Sequence, residues 1–408
     1  MRLVFKRLGF FIFILAMSQQ SAHAWWFGKK KIKQSETPVI TTSNDLAQAE
    51  ENKKRCDVRV LLTEKKINEA SFIIESKKGF HFMTLDGSIA LKYDAKKIEL
   101  GANEKQLLIN GKKVAHQQFL IKPADGFLWY NNNEYEGYFL INLTNNYVEL
   151  INVLDLEDYV CSVLNSESWP GWPLEINRAF AIACRSYVLH KMMNTSSKKM
   201  YHIKNTNIHQ TYNGTHTSER LREAVNDTKG LVLTHNDKPI EAMFDCCCGG
   251  IIPAHIDGVD FQKAPYLARK QLCTFCKTSK IFGWRLEFTV KDFEELLRQA
   301  GYFIKNIRSI SVTHRDKAGV VHKVAIKGTH NTFVHLTGKQ LYALCSKIKS
   351  YAYKIEKKGS QILFSGTGYG HHMGICQWGA RRMLDAGYLH RSILSFYYPG
   401  TQLKQFII

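Results

Sequence analysis

Three sets of residues carry side chains able to do chemistry. The first is a carboxyl, Glu167, followed at once by two Trp-Pro pairs, Trp169-Pro170 and Trp172-Pro173. Each proline pushes the residue before it out of the helical region, so the chain must turn there. Indole rings beside a carboxyl strip it of water. Lost hydration raises the carboxyl pKa toward the range where it can donate a proton at neutral pH. The second set is thiols: Cys246-Cys247-Cys248 ahead of Gly249-Gly250, then His255, then the C-x-x-C pair Cys273 and Cys276. Three thiolates and one further ligand would make a closed zinc site of structural type, and the same pair in an exported chain is equally compatible with a disulfide or a redox couple. Cys246, Cys247 and His255 are the open choices for a fourth ligand. The third set is His371 and His372, held in a glycine-rich run, Gly366 to Gly374, that lacks the Lys-Ser/Thr ending of a phosphate loop. Aromatic rings at Trp169, Trp172, Tyr212, Tyr369 and Trp378 could offer apolar faces to sugar rings. Taken singly, each of these is an ordinary core or surface residue.

The elements that must position these groups are read from the hydrophobic pattern. Short alternating runs such as Val58-Arg59-Val60-Leu61-Leu62, divided by Gly-containing turns, predict a β-rich region over residues 57–150. A hairpin around Asn145-Asn146 leads from it toward Glu167. Pro173 can open a helix, because its missing N–H is not needed there, and Ile176, Phe180, Ala183 and Tyr187 recur at helical spacing after it. Glu167 is therefore expected at an aromatic-walled break between two helices. Further helices are predicted up to Ala224, over residues 293–300 and over residues 377–387. Residues 241–244 read as a strand entering the cysteines. The fold class is α+β: a β-rich amino-terminal region and a mixed catalytic region over residues 151–408, with a substrate groove between subdomains.

Composition narrows the partner. Lys and Arg outnumber Asp and Glu by 56 to 36, a formal charge of +20 over 408 residues. Such a surface calls for an anionic partner. Residues 1–24 argue against nucleic acid: a basic start, an apolar run containing Phe-Phe-Ile-Phe-Ile-Leu, and Ala22-His23-Ala24 ahead of a cleavage point have the form of a secretory signal. Residues 25–56 read as a basic linker. No later stretch is apolar enough for a membrane helix, so the chain is expected to be exported and periplasmic or wall-associated.

The ordered motifs resemble the stage II sporulation protein D family, which includes the amidase-enhancer proteins. They are Leu156-Glu157-Asp158-Tyr159, Glu167 with its Trp-Pro, Ala179 through Arg185-Ser186-Tyr187, Gln210 with Tyr212 and Gly214, Thr228-Lys229-Gly230, Phe244 to Gly250, and Gly368-Tyr369-Gly370-His371 through Gln377-Trp378-Gly379-Ala380. The resemblance implies an exported lytic transglycosylase acting on peptidoglycan strands stripped of their stem peptides. Glu167 would be the catalytic acid. Trp169, Arg185, Tyr187, Gln210, Tyr212, Tyr369, His371 and Gln377 would face substrate, and Cys248, Cys273 and Cys276 would hold a structural zinc, with His255 as its fourth ligand while Cys246 and Cys247 stay open. The sequence departs from the family pattern at Asp245, in place of a histidine, at His372, in place of a glycine, and at Cys376, in place of a serine.

The implied reaction needs one carboxyl where most glycosidases need two. The muramic acid C6 hydroxyl attacks, so one group can protonate the leaving oxygen and then take the hydroxyl proton, leaving a 1,6-anhydro end. A stripped strand exposes lactyl carboxylates, which suits the basic surface. Two other readings remain: a non-catalytic wall-binding protein that stimulates a cell-wall amidase, and a thiol oxidoreductase using Cys273 and Cys276.

Overall fold

The structure is a computed structural model that describes residues 56–86, 89–103 and 106–406. The secretory signal and most of the basic linker lie outside these residues. The β-rich region comprises two sheets. One has seven strands, with Asp57–Lys66 between Tyr147–Asp155 and the short edge strand Ile203–Lys204. The other has six, built around Ser71–Ser76 and Lys97–Asn103. Alternation decides the packing: Val58 and Val60 from the first sheet, and Phe72, Ile74, Ile98 and Leu100 from the second, are buried in a shared core. The hairpin forms as expected, with Leu143 opposite Val148.

Strand Tyr147–Asp155 runs straight into helix α1 (Leu156–Glu167), whose start is capped by the Asp155 carboxylate accepting the Glu157 N–H at 2.8 Å. After the Trp-Pro break comes α2 (Leu174–Asn194). Pro173 is its N-cap, with φ −55° and ψ 146°, so the helix begins one residue later than the sequence predicts. Buried residues occupy nearly every face of α2 from Ile176 to Leu189, which makes it the central rod of the fold. It packs on α1, on α3 (Glu219–Asp227) and on the strand Leu231–His235.

The expected strand over residues 241–244 shortens to Phe244–Asp245, because its parallel partner, Ile375–Cys376, is only two residues long. Between these partners the chain builds a second hydrophobic core. Two three-stranded sheets and the helices α4 (Val290–Gln299) and α5 (Gly338–Leu344) enclose Phe293, Leu297, Val324, Ile326, Leu341 and Phe364. The chain then returns through α6 (Gln377–Asp385) and α7 (His390–Tyr397) to the first core, closing with Gln402–Gln405 paired to Leu231–His235. A cavity of about 350 Å³ lies on the seam between the cores, with Met243, Ile256 and Met373 on one side and Val321, Lys323 and Thr337 on the other. Among the described residues no helix is long and apolar enough to cross a membrane.

Candidate active site and thiol cluster

Glu167 is the last residue of α1 and is 4% exposed. Its Oε1 accepts the backbone N–H of Thr211 at 2.6 Å, while its Oε2 is buried with no partner. Burial pushes its pKa above the ordinary carboxyl value, and the Thr211 hydrogen bond only partly offsets this. The carbonyl end of α1 further disfavours negative charge there. The carboxyl is thus biased toward its protonated form, as a proton donor requires.

Two other segments clamp this position. Gln377 Nε2, at the start of α6, donates to the main-chain oxygen of Glu167 at 2.7 Å. Gln210, beside Thr211, is buried, and its Oε1 accepts the Tyr159 hydroxyl at 3.0 Å while its Nε2 has no partner. The Tyr187 hydroxyl is likewise buried without a partner. The aromatic wall exists: Trp169 stacks on Trp172 at 6.4 Å, and Trp172 meets Trp378 edge-on at 5.7 Å. Trp169 is 62% exposed, so it forms the outer rim.

Gln377 also lines a narrow cavity of about 20 Å³, room for roughly one water, with Asp245, Tyr342, Tyr351, Tyr369 and His371. His371 donates from Nε2 to the Phe244 carbonyl and accepts the Met373 N–H at Nδ1, so both ring nitrogens are engaged by backbone. Burial and the adjacent His372 push it down to about 4, leaving a neutral ring at pH 7. Asp245 is buried; its Oδ2 accepts the His372 N–H at 2.7 Å and its Oδ1 has no partner. His372 takes φ +70°, the left-handed region that glycine favours, where the resembled family has glycine. Its Nδ1–H to the Cys248 carbonyl, at 3.0 Å, is a contact glycine could not make.

Three assignments made from the sequence do not fit this geometry. Arg185 is fully buried and held by Glu157 at 2.5 Å and by the carbonyls of Leu231 and Val225, so its guanidinium braces α1 against α2 and offers nothing to a ligand. Tyr212 is buried with its hydroxyl on Asn152 and its ring stacked on Tyr159. His255 is exposed and stands outside the group of sulfurs.

The fourth sulfur comes from Cys376. The Sγ atoms of Cys248, Cys273, Cys276 and Cys376 all lie within 4.8 Å of one another and all four residues are buried. A tetrahedron with Zn–S near 2.3 Å requires S···S of about 3.8 Å; Cys248 and Cys276 are at 3.7 Å. Every cysteine described is unbridged. Backbone N–H groups of Cys248 and Gly379 each point at Cys376 Sγ at 3.2 Å, as donors that support a thiolate. Cys273 is brought down to about 7, chiefly by a hydrogen bond from Cys248. Donor type, number and spacing fit a tetrahedral metal ion. The glycine run presses against this cluster: a Cβ on Gly249 would sit 2.6 Å from the Gly368 nitrogen.

Thr211 and Cys376 were not found from sequence. Thr211 holds the carboxyl through its backbone N–H as well as its side chain, and the backbone contact leaves no trace in residue type. Cys376 is visible as a cysteine, but its partner pair lies a hundred positions upstream.

The scaffold is mixed α+β with a buried carboxyl at a helix break, and comparison with known proteins shows what the chain is similar to. Residues 144–235 match the family described as stage II sporulation protein, and residues 266–374 match a domain of unknown function, DUF8618. The chain is 27% identical over 310 residues to an uncharacterized protein of Brachyspira hyodysenteriae, covering 74% of this chain and 81% of that one. It is 26% identical over 267 residues to the stage II sporulation protein D of Bacillus subtilis, covering 62% of this chain and 75% of the relative. The amidase enhancer of Bacillus subtilis is 26% identical over 289 residues, 60% of this chain but only 40% of that longer protein. Residues 144–235 thus carry the stage II sporulation protein domain, and the similarity to stage II sporulation protein D and to the amidase enhancer supports a cell-wall-related role.

Proposed function

We propose that the chain is a lytic transglycosylase that cleaves peptide-stripped peptidoglycan strands, with Glu167 as the single acid and base. The observation that carries this reading is the state of Glu167: buried, biased toward protonation, one oxygen held by Thr211 and the other unpartnered. The protonated Oε2 gives its proton to the glycosidic oxygen, and the resulting carboxylate accepts the proton of the attacking C6 hydroxyl. The Thr211 N–H steadies the carboxylate at mid-reaction. Trp169 and Trp172 flank the break with ring faces on which a sugar can stack. We further propose zinc at Cys248, Cys273, Cys276 and Cys376, as a structural ion that fastens Cys376 and thereby the start of α6. The deciding experiment is incubation of the purified chain with amidase-stripped strands and mass spectrometry of the products. New 1,6-anhydro-muramyl ends, absent with Glu167→Gln, support the reading. Their absence with the parent chain leaves the alternative, a wall-binding protein that stimulates an amidase, for which the amidase-enhancer relative is the support.

A further inference from the structure

The second core presents a sheet face that the site above does not use. In the antiparallel sheet Ser309–Arg315, Val321–Lys327 and Phe333–Thr337, the inward rows Val312-Val324-Leu336 and Ile310-Ile326-Val334 pack into the core. The alternate residues form three outward rows: His314-Lys323-Thr337, Ser311-Ala325-His335 and Ser309-Lys327-Phe333. Phe333 is 50% exposed and stacks on His335 at 6.4 Å with 10° between the rings, and the Lys327 ammonium lies over the Phe333 ring, 5.4 Å from its centroid.

The charge of this segment is one-sided. Residues 309–339 hold five Lys and Arg and a single acid, Asp316, which is buried and bound to His322 at 2.8 Å. The first outward row borders the seam cavity, which is lined by His314, Lys323 and Thr337 together with His371 of the glycine run. From Lys323 to Lys327 is four strand residues, about 13 Å, so the two ammonium groups stand apart along one strand of the face.

We propose that this open face binds a carboxylate-bearing polysaccharide strand, stacking a sugar ring on Phe333 and His335 and pairing its carboxylates with Lys323 and Lys327. The occupant is fixed by complementarity: flat rings for sugar C–H faces, the Ser309 and Ser311 hydroxyls in the same rows for sugar hydroxyls, and the exposed Lys323 and Lys327 ammonium groups for carboxylates. This deepens the glycan reading of the chain and rests on it, by giving the strand a second hold on the other core, continuous with the seam.

The test uses full-length Glu167→Gln protein and fluorescently labelled peptide-stripped glycan, read by polarisation. The Phe333→Ala/His335→Ala and Lys323→Glu/Lys327→Glu variants of it should each bind at least about tenfold more weakly, with unchanged melting temperature. Carboxyl-reduced glycan should bind as weakly to the parent as native glycan binds to the charge variant. Single-site Lys327→Gln and Phe333→Ala replacements repeat the comparison with smaller perturbation of the sheet. Equal affinity of parent and variants overturns the proposal, and so does stronger competition by single-stranded DNA than by glycan, which would make the face a nucleic-acid surface. If the wild-type chain releases no anhydro ends, the catalytic reading falls while this binding result stands by itself.

Discussion

Gln377 reaches back to Glu167, donating its side-chain amide to the main-chain carbonyl at 2.7 Å. The bond joins the last residue of α1 to the first of α6 and fixes where the helix break leaves the carboxyl.

Removing that tie should lower turnover with little loss of substrate affinity. Gln377→Leu, similar in size and unable to donate, is expected to reduce kcat by about 10- to 100-fold while KM changes little, since misplacement acts on the reacting geometry. Steady-state release of anhydro ends measures both.

The buried carboxyl also sets a pH dependence. The folded pKa of Glu167 lies above its ordinary value of 4.5, so its contribution to stability is full below that value and falls as pH rises through the folded pKa. The melting temperature of the wild type should therefore drop relative to Glu167→Gln between pH 4 and pH 8. A constant difference between the two proteins across that range would contradict the placement of the group.

Metal analysis separates the four thiols from the histidine. Purified chain should carry about one zinc, Cys376→Ser should lose most of it and melt at lower temperature, and His255→Ala should retain the parental content. Elemental analysis alongside thermal melts gives the answer without any activity measurement.

Arg185 tests the bracing role assigned to it. Arg185→Met leaves Glu157 partly buried, with the Gly230 N–H as its remaining partner from that end of the fold, and should cost about 3–5 kcal/mol of stability in urea unfolding. A surface ligand-binding arginine would give a change near zero.

The parts legible in the sequence were those set by local pattern. The hairpin before α1, the turn forced by Pro170 and Pro173, and the helix carrying Ile176, Phe180, Ala183 and Tyr187 all follow from periodicity and proline stereochemistry. The sequence also pointed to a desolvated Glu167, and the carboxyl is buried, held by Thr211 from a segment more than forty residues downstream while Trp169 stays largely exposed. Long-range choices were not. Arg185 falls on the same helix as Tyr187, and nothing local says that it turns to Glu157 rather than to a cleft. The metal set could not be completed, since whether Cys376 or His255 meets Cys273 and Cys276 depends on how the chain returns after building the second core. That core itself showed only as a succession of strands and one amphipathic helix, without a boundary signal.

Cys376 and Gln377 are neighbours, the one facing the sulfurs and the other the acid's own backbone. Chelators or oxidants that unfasten the thiols would loosen the catalytic helix break in the same event, without touching Glu167. With the proposed zinc bound there, the proposed wall-cleaving activity would be silenced by zinc starvation or by disulfide stress, and would recover when metal and reductant return.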